Sequence, residues 1–186
     1  MRQIDVCYSK GPQNVTLNQE INRLVDRYDA RWLSFYSDFI RGPQDYIRRD
    51  VYPVHVTASL FALSDDLAQT ALIHHKATGK WFQPGGHVDA GETVRQAACR
   101  ECAEETGLVA ALPPEAAPVS IDLHRIPENP KKGEPEHYHL DIRFAARVSG
   151  TLSPDPDEVH DARWFPAEVL DTIDERVRPR LAAICI

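Results

Sequence analysis

The chain has 186 residues, of which 42% are hydrophobic and 26% charged, the balance of one folded domain with a real core. A net charge of −7 leaves no basic footprint for nucleic acid or for an anionic membrane surface. No apolar run approaches the roughly eighteen residues of a membrane span.

Residues 1–14 lack the apolar stretch of a signal peptide. Cysteines at 7, 99, 102 and 185 are scattered as in a reducing compartment, so the cytoplasm is the expected location. The first clear element covers residues 15–41. Leu17, Ile21, Leu24, Val25, Tyr28, Trp32, Phe35 and Phe39 recur at three- and four-residue steps, Thr16 with Gln19 forms a capping box, and Gly42-Pro43 ends the pattern. This predicts a long amphipathic helix, or two, within an N-terminal extension spanning 1–50. Its apolar stripe needs a partner, either the chain's own sheet or a sister subunit in a homodimer.

A second unit, 51–186, begins where the period changes. Residues 55–63 read as a strand, 64–66 as a turn and 70–75 as a second strand. Trp81 to Gly86 leads into the segment GHVDAGETVRQAACRECAEETGL, which starts at Gly86 and ends at Leu108. Within it, Thr93 to Thr106 reads as a helix stopped by Gly107. Glu101, Glu104 and Glu105 fall at i, i+3 and i+4, so the three carboxylates share one helix face. Like charges at that spacing repel, and a hard divalent cation such as Mg²⁺ or Mn²⁺ would resolve the conflict. A solvated acidic face is the plainer account of E-x-x-E-E alone. It does not explain Gly86, Glu92, Arg100 and Gly107 standing in register with it. At about 6% usage per position, seven such matches arise in roughly one chain per million, so coincidence is set aside. Cys99 and Cys102 form C-x-x-C inside the helix with no second ligand pair, and read as small buried residues.

The whole pattern, G-x5-E-x7-R-E-U-x-E-E-x-G-U with U apolar, resembles the Nudix box, the motif of hydrolases that cleave nucleoside diphosphates linked to a second moiety. Cys102 is the soft match at an apolar slot. The resemblance implies an α/β fold, a Nudix-type α/β/α sandwich with a mixed sheet, over about residues 50–186. It further implies that the Gly86 carbonyl with Glu101, Glu104 and Glu105 holds Mg²⁺ or Mn²⁺, that Arg100 orients a glutamate, and that Glu92 fixes the loop. In such proteins the metal bridges pyrophosphate oxygens and activates water. The proton acceptor varies; Glu105 and Glu158 are both nominated. Glu158 lies in SPDPDEVHDARWFP, six residues before Trp164, where many members of the family carry a loop glutamate. An ordinary turn is the alternative there. The rival function, a Nudix-fold sensor that binds a nucleotide without cleaving it, usually lacks box carboxylates; this chain keeps all of them.

Beyond the box, residues 119–126 and 137–147 read as two more strands. Alternation places Leu140, Ile142 and Phe144 on one face, with His137, His139, Asp141 and Arg143 on the other. Asp122 and His124 repeat the polar side in the preceding strand, and His87 beside the box could reach the same surface. That surface is a candidate substrate-binding cleft. Alternatively, His124, His137 and His139 hold a transition metal, or the face is merely solvated. A short strand at 162–165 and helical segments from Pro166 and after Pro179 complete the chain. The expected partner is a small nucleotide or pyrophosphate substrate, with neither nucleic acid nor membrane. Its identity is left open: the H-x-I-P segment at His124 and the H-x-H-x-D-x-R-F run from His137, with Gly85-Gly86-His87 at the box, resemble a group of bacterial Nudix proteins of unassigned substrate.

Overall fold

Every residue of strand β1, Val54–Leu63, is buried, so this strand is covered on both faces. The protein is described by a computed structural model covering residues 49–130 and 133–184; the expected helix at 15–41 lies outside the described residues. Strand β7, His137–Ser149, runs parallel to β1 in a continuous register from Val54 opposite Tyr138 to Leu63 opposite Arg147.

The other pairings are antiparallel. β2 (Gln69–His75) and β4 (Gly85–His87) share the far edge of β1, while β6 (Ser120–Ile126) and β5 (Val109–Ala110) share that of β7. β8 (Val159–Pro166) and β3 (Trp81–Phe82) pair with β2. The result is a mixed sheet centred on β1 and β7, in which β8 extends past the short strand expected at 162–165.

Helix α1, Val94–Thr106, covers one face. Its N-terminus is fixed by a reciprocal capping box: Thr93 Oγ1 accepts from Gln96 N, and Gln96 Oε1 accepts from Thr93 N. Gly107 ends it at φ 73°, a left-handed conformation that only glycine adopts freely, and donates its N–H to Ala103 O. Val94, Ala97, Ala98 and Cys102 are small enough to bring α1 close to Val56, Ala58, Leu60, Leu140, Ile142 and Phe144. Cys99 and Cys102 are free thiols packed in this layer, and burial pushes the Cys102 thiol up to about 12.

The opposite face is split along its length. At one end Phe61, Leu63, Val119 and Ala145 pack under the C-terminal helices α2 (Leu170–Ile173) and α3 (Val177–Ile184), through Leu170, Val177 and Leu181. At the other end the same strands present His55, Thr57, Ser59, His139, Asp141 and Arg143. Helix, sheet and helices thus form the α/β/α sandwich, with a polar half-face left beside the second apolar layer. Among the described residues no helix is long and apolar enough to cross a membrane.

Candidate active site

The acidic site lies where α1 meets β4. Gly86 backs directly onto Glu101: a Cβ added there would stand 2.6 Å from Glu101 Oε1, so only glycine lets the carboxylate close on the strand. Glu105 is buried on the next turn, and its Oε2 accepts from Gly85 N at 2.9 Å. Arg100 organises the rest. Its Nε and Nη2 donate to the two oxygens of Glu92 at 2.8 and 3.0 Å, and its Nη1 donates to Glu101 Oε1 and Glu104 Oε2, each at 2.8 Å. Nη2 also donates to the His87 carbonyl, tying the strand to the helix. Glu92 accepts from Asp89 N, which fixes the connecting turn.

Charge is left over after these contacts. Burial, reinforced by Glu101, Glu158 and Glu104, pushes Glu105 up to about 8 despite the Gly85 N–H. Burial likewise raises Glu101, against the pull of Arg100. Glu158 is among the charges that raise Glu105. A concentration of partly desolvated carboxylates beside a carbonyl-bearing strand suits a hard divalent cation, and the glycine cradle leaves room for close approach.

The polar half-face divides into two tiers. In the inner one, Arg143 is a buried guanidinium locked between carboxylates. Its Nε donates to Asp141 Oδ2 at 2.8 Å and its Nη2 to Asp122 Oδ2 at 2.7 Å, with Asp174 Oδ2 at 3.8 Å from Nη1. Asp141 also accepts from Ser59 Oγ at 2.8 Å and Thr57 Oγ1 at 3.2 Å. Asp174 is pushed upward by burial, yet Arg176 and Ser120 hold it down at about 2. A polar cavity of about 480 Å³ opens beside this lattice, lined by Asp122, Arg143, Asp171, Asp174 and Arg176.

The outer tier is a histidine cluster. The structure brings together His137 and His139, which strand alternation puts on one face, and His87 from beside the box, and adds His55, which the sequence gives no reason to single out. The β1–β7 register places His55 opposite His139. His55 Nε2 lies 3.1 Å from His87 Nε2, and His137 Nε2 lies 3.3 Å from His139 Nε2. Burial, then mutual repulsion, lowers His87 to about 4 and His139 to about 2, so these rings are neutral. His124 stands at the margin, its side chain 42% exposed, with Nδ1 against Asp122 Oδ2 at 3.1 Å.

Comparison with known proteins places the chain in context. The family profile described as NUDIX domain matches residues 53–184. The "Probable DHNTP pyrophosphohydrolase" of Lactococcus lactis is 32% identical over 132 residues, covering 70% of this chain and 77% of that protein. "NAD-capped RNA hydrolase NudC" of Stutzerimonas stutzeri is 31% identical over 101 residues, covering 54% of this chain; the match spans only 32% of that relative's length. The crystal structure of a MutT protein from Methanosarcina mazei Go1 superposes with a TM-score of 0.50 at 19% identity, covering 64% of this chain and 82% of that one, and shows the shared fold.

Proposed function

Because the chain belongs to the NUDIX family, we propose that it is a divalent-metal-dependent hydrolase cleaving a phosphoanhydride bond in a nucleoside diphosphate linked to another moiety. The observation that carries this reading is the carboxylate cluster around Glu105, whose charge exceeds what Arg100 and the Gly85 N–H offset. Glu101, Glu104, Glu105 and the Gly86 carbonyl would hold Mg²⁺ or Mn²⁺. Once bound, such an ion neutralises charge developing on the phosphoryl oxygens and lowers the pKa of a coordinated water.

The chain's own groups do the rest. Arg100 positions Glu101 and Glu104 by donating to both. Glu105 or Glu158 accepts the proton of the attacking water. The polar half-face, lined by His87, His137 and His139 over a floor stiffened by Asp141 and Arg143, lies on the other face of the sheet from the glutamates and stands apart from the hydrolytic site. The retained box glutamates favour the hydrolase over a binding-only sensor, which usually lacks them. The unit spanning 51–186 carries this site, with residues 1–50 assigned to packing or dimer formation.

Glu105→Gln tests the proposal, because it keeps shape and helix propensity while removing the charge. Turnover of a pyrophosphate substrate should fall by about two to four decades, with the fold intact by circular dichroism. A near wild-type rate would rule the mechanism out.

A further inference from the structure

We propose that His55, His137 and His139 form a second metal site, one for a divalent transition-metal ion such as Zn²⁺, separate from the carboxylate site and on the other face of the sheet. Among the described residues this is the trio of candidate ligand side chains whose donor atoms lie within 4.8 Å of one another.

Tautomer geometry points the ligands inward. His137 Nδ1 lies 2.7 Å from the Pro135 carbonyl, and His55 Nδ1 lies 3.3 Å from the Val51 carbonyl. A carbonyl oxygen only accepts, so both Nδ1 atoms carry the proton and both Nε2 atoms present a lone pair to the cluster. A ring fixed by a backbone carbonyl on one nitrogen and free to ligate through the other is how metal-binding histidines are held. The spacing fits as well. Zinc–nitrogen bonds of about 2.0–2.1 Å in a tetrahedron place two donors about 3.3 Å apart. His137 Nε2 and His139 Nε2 stand 3.3 Å apart.

Position and donor type set the site apart from the carboxylates. Gly86 backs onto Glu101, whereas His87, the next residue of β4, turns its ring to His55, with Nε2 atoms 3.1 Å apart. One strand therefore serves both sites from opposite sides, and His87 is at hand as a further ligand. All-imidazole donors select zinc and its neighbours over the Mg²⁺ that carboxylates prefer. Without a metal, the same rings must pair as two N–H···N hydrogen bonds, His139 donating to His137 and His87 to His55. That arrangement needs no ion, and it is the competing account.

The full-length protein, stripped with a chelator, should be titrated with Zn²⁺ in excess Mg²⁺. We expect one tight equivalent, weakened at least tenfold in His137→Asn and in His139→Asn and unchanged in Glu105→Gln. Failure of the hydrolase reading would leave that equivalent in place, so the two claims fail separately. X-ray absorption of the zinc-loaded wild type covers the case of misfolded variants: scattering from three or more imidazoles supports the site. No tight equivalent, an equivalent indifferent to both histidine variants, or fewer than three imidazoles around the metal would overturn it.

Discussion

The carboxylate helix and the histidine tier lie on opposite faces of one sheet, back to back across β4, and they manage crowded like groups in opposite ways. On α1 the glutamates remain acids beside a permanent cation, and Arg100 spans Glu92, Glu101 and Glu104 without satisfying Glu105. On the polar half-face burial keeps His87 and His139 neutral, while His55 and His137 turn Nδ1 to backbone carbonyls and Nε2 to the neighbouring rings. The first arrangement calls for a hard cation at an oxygen-rich edge; the second suits a softer ion among nitrogens. Crowding alone therefore does not define a site. The charge state that crowding enforces does.

Arg143 gives the sharpest way to break the comparison, because it stiffens the histidine side without touching the helix side. Arg143→Met would leave Asp141 and Asp122 beside an apolar side chain. It should cost about 3–5 kcal/mol in chemical denaturation, as for other broken buried ion pairs. A loss under about 1 kcal/mol would show the lattice to be solvated and loose.

Arg100→Lys probes the opposite face. An ammonium cannot reproduce the fork that reaches Glu92, Glu101 and Glu104 together, so turnover should drop about 10–100-fold with little change in melting temperature. Full activity in the lysine variant would mean that charge alone, not geometry, organises the carboxylates.

Acid and base should separate the two regions by sign. In chelated protein Glu105 is raised from 4.5 to about 8, so its contribution to stability is complete below the lower value and is lost as pH climbs through the upper one. His87 and His139 are lowered from 6.5 to about 4 and about 2, so theirs is complete above 6.5 and is lost as pH falls. Melting curves across pH 4–9 (about half a unit apart) should show Glu105→Gln flattening the alkaline limb and His139→Asn the acid limb. Both variants flattening the same limb would contradict the assignment. The smallest effect expected is from Thr93→Ala, which removes half of the capping box that starts α1 and should cost about 1 kcal/mol.

What the sequence made legible follows from range. The carboxylate face is written within five residues of one helix, its cap and stop lie directly beside it, and helical spacing needs no knowledge of the rest of the chain. The alternation in β7 likewise put His137, His139, Asp141 and Arg143 on one side. The partner of those histidines is another matter. Alternation in the neighbouring strand groups His124 with them; the structure instead packs His55 into the trio and bonds His124 to Asp122. That exchange depends on the parallel β1–β7 register, which joins residues more than eighty apart. In sequence Arg143 belongs to the candidate substrate cleft, whereas its engagement by Asp122, Asp141 and Asp174 emerges only when β6, β7 and the C-terminal turn converge. The two- and three-residue strands β3, β4 and β5 were equally invisible, since pairing alone defines them.

The central claim is that hydrolysis belongs to the carboxylate helix. It is tested most directly by the rate at which the full-length protein releases phosphate from nucleoside-diphosphate-linked compounds, read by phosphatase coupling, as free Mg²⁺ is raised from a chelated start. The account predicts a rate that is absent at the outset, rises and saturates with Mg²⁺, and is not restored by Zn²⁺ alone. Tight nucleotide binding with no turnover across the panel, or turnover that persists in excess chelator, would contradict it.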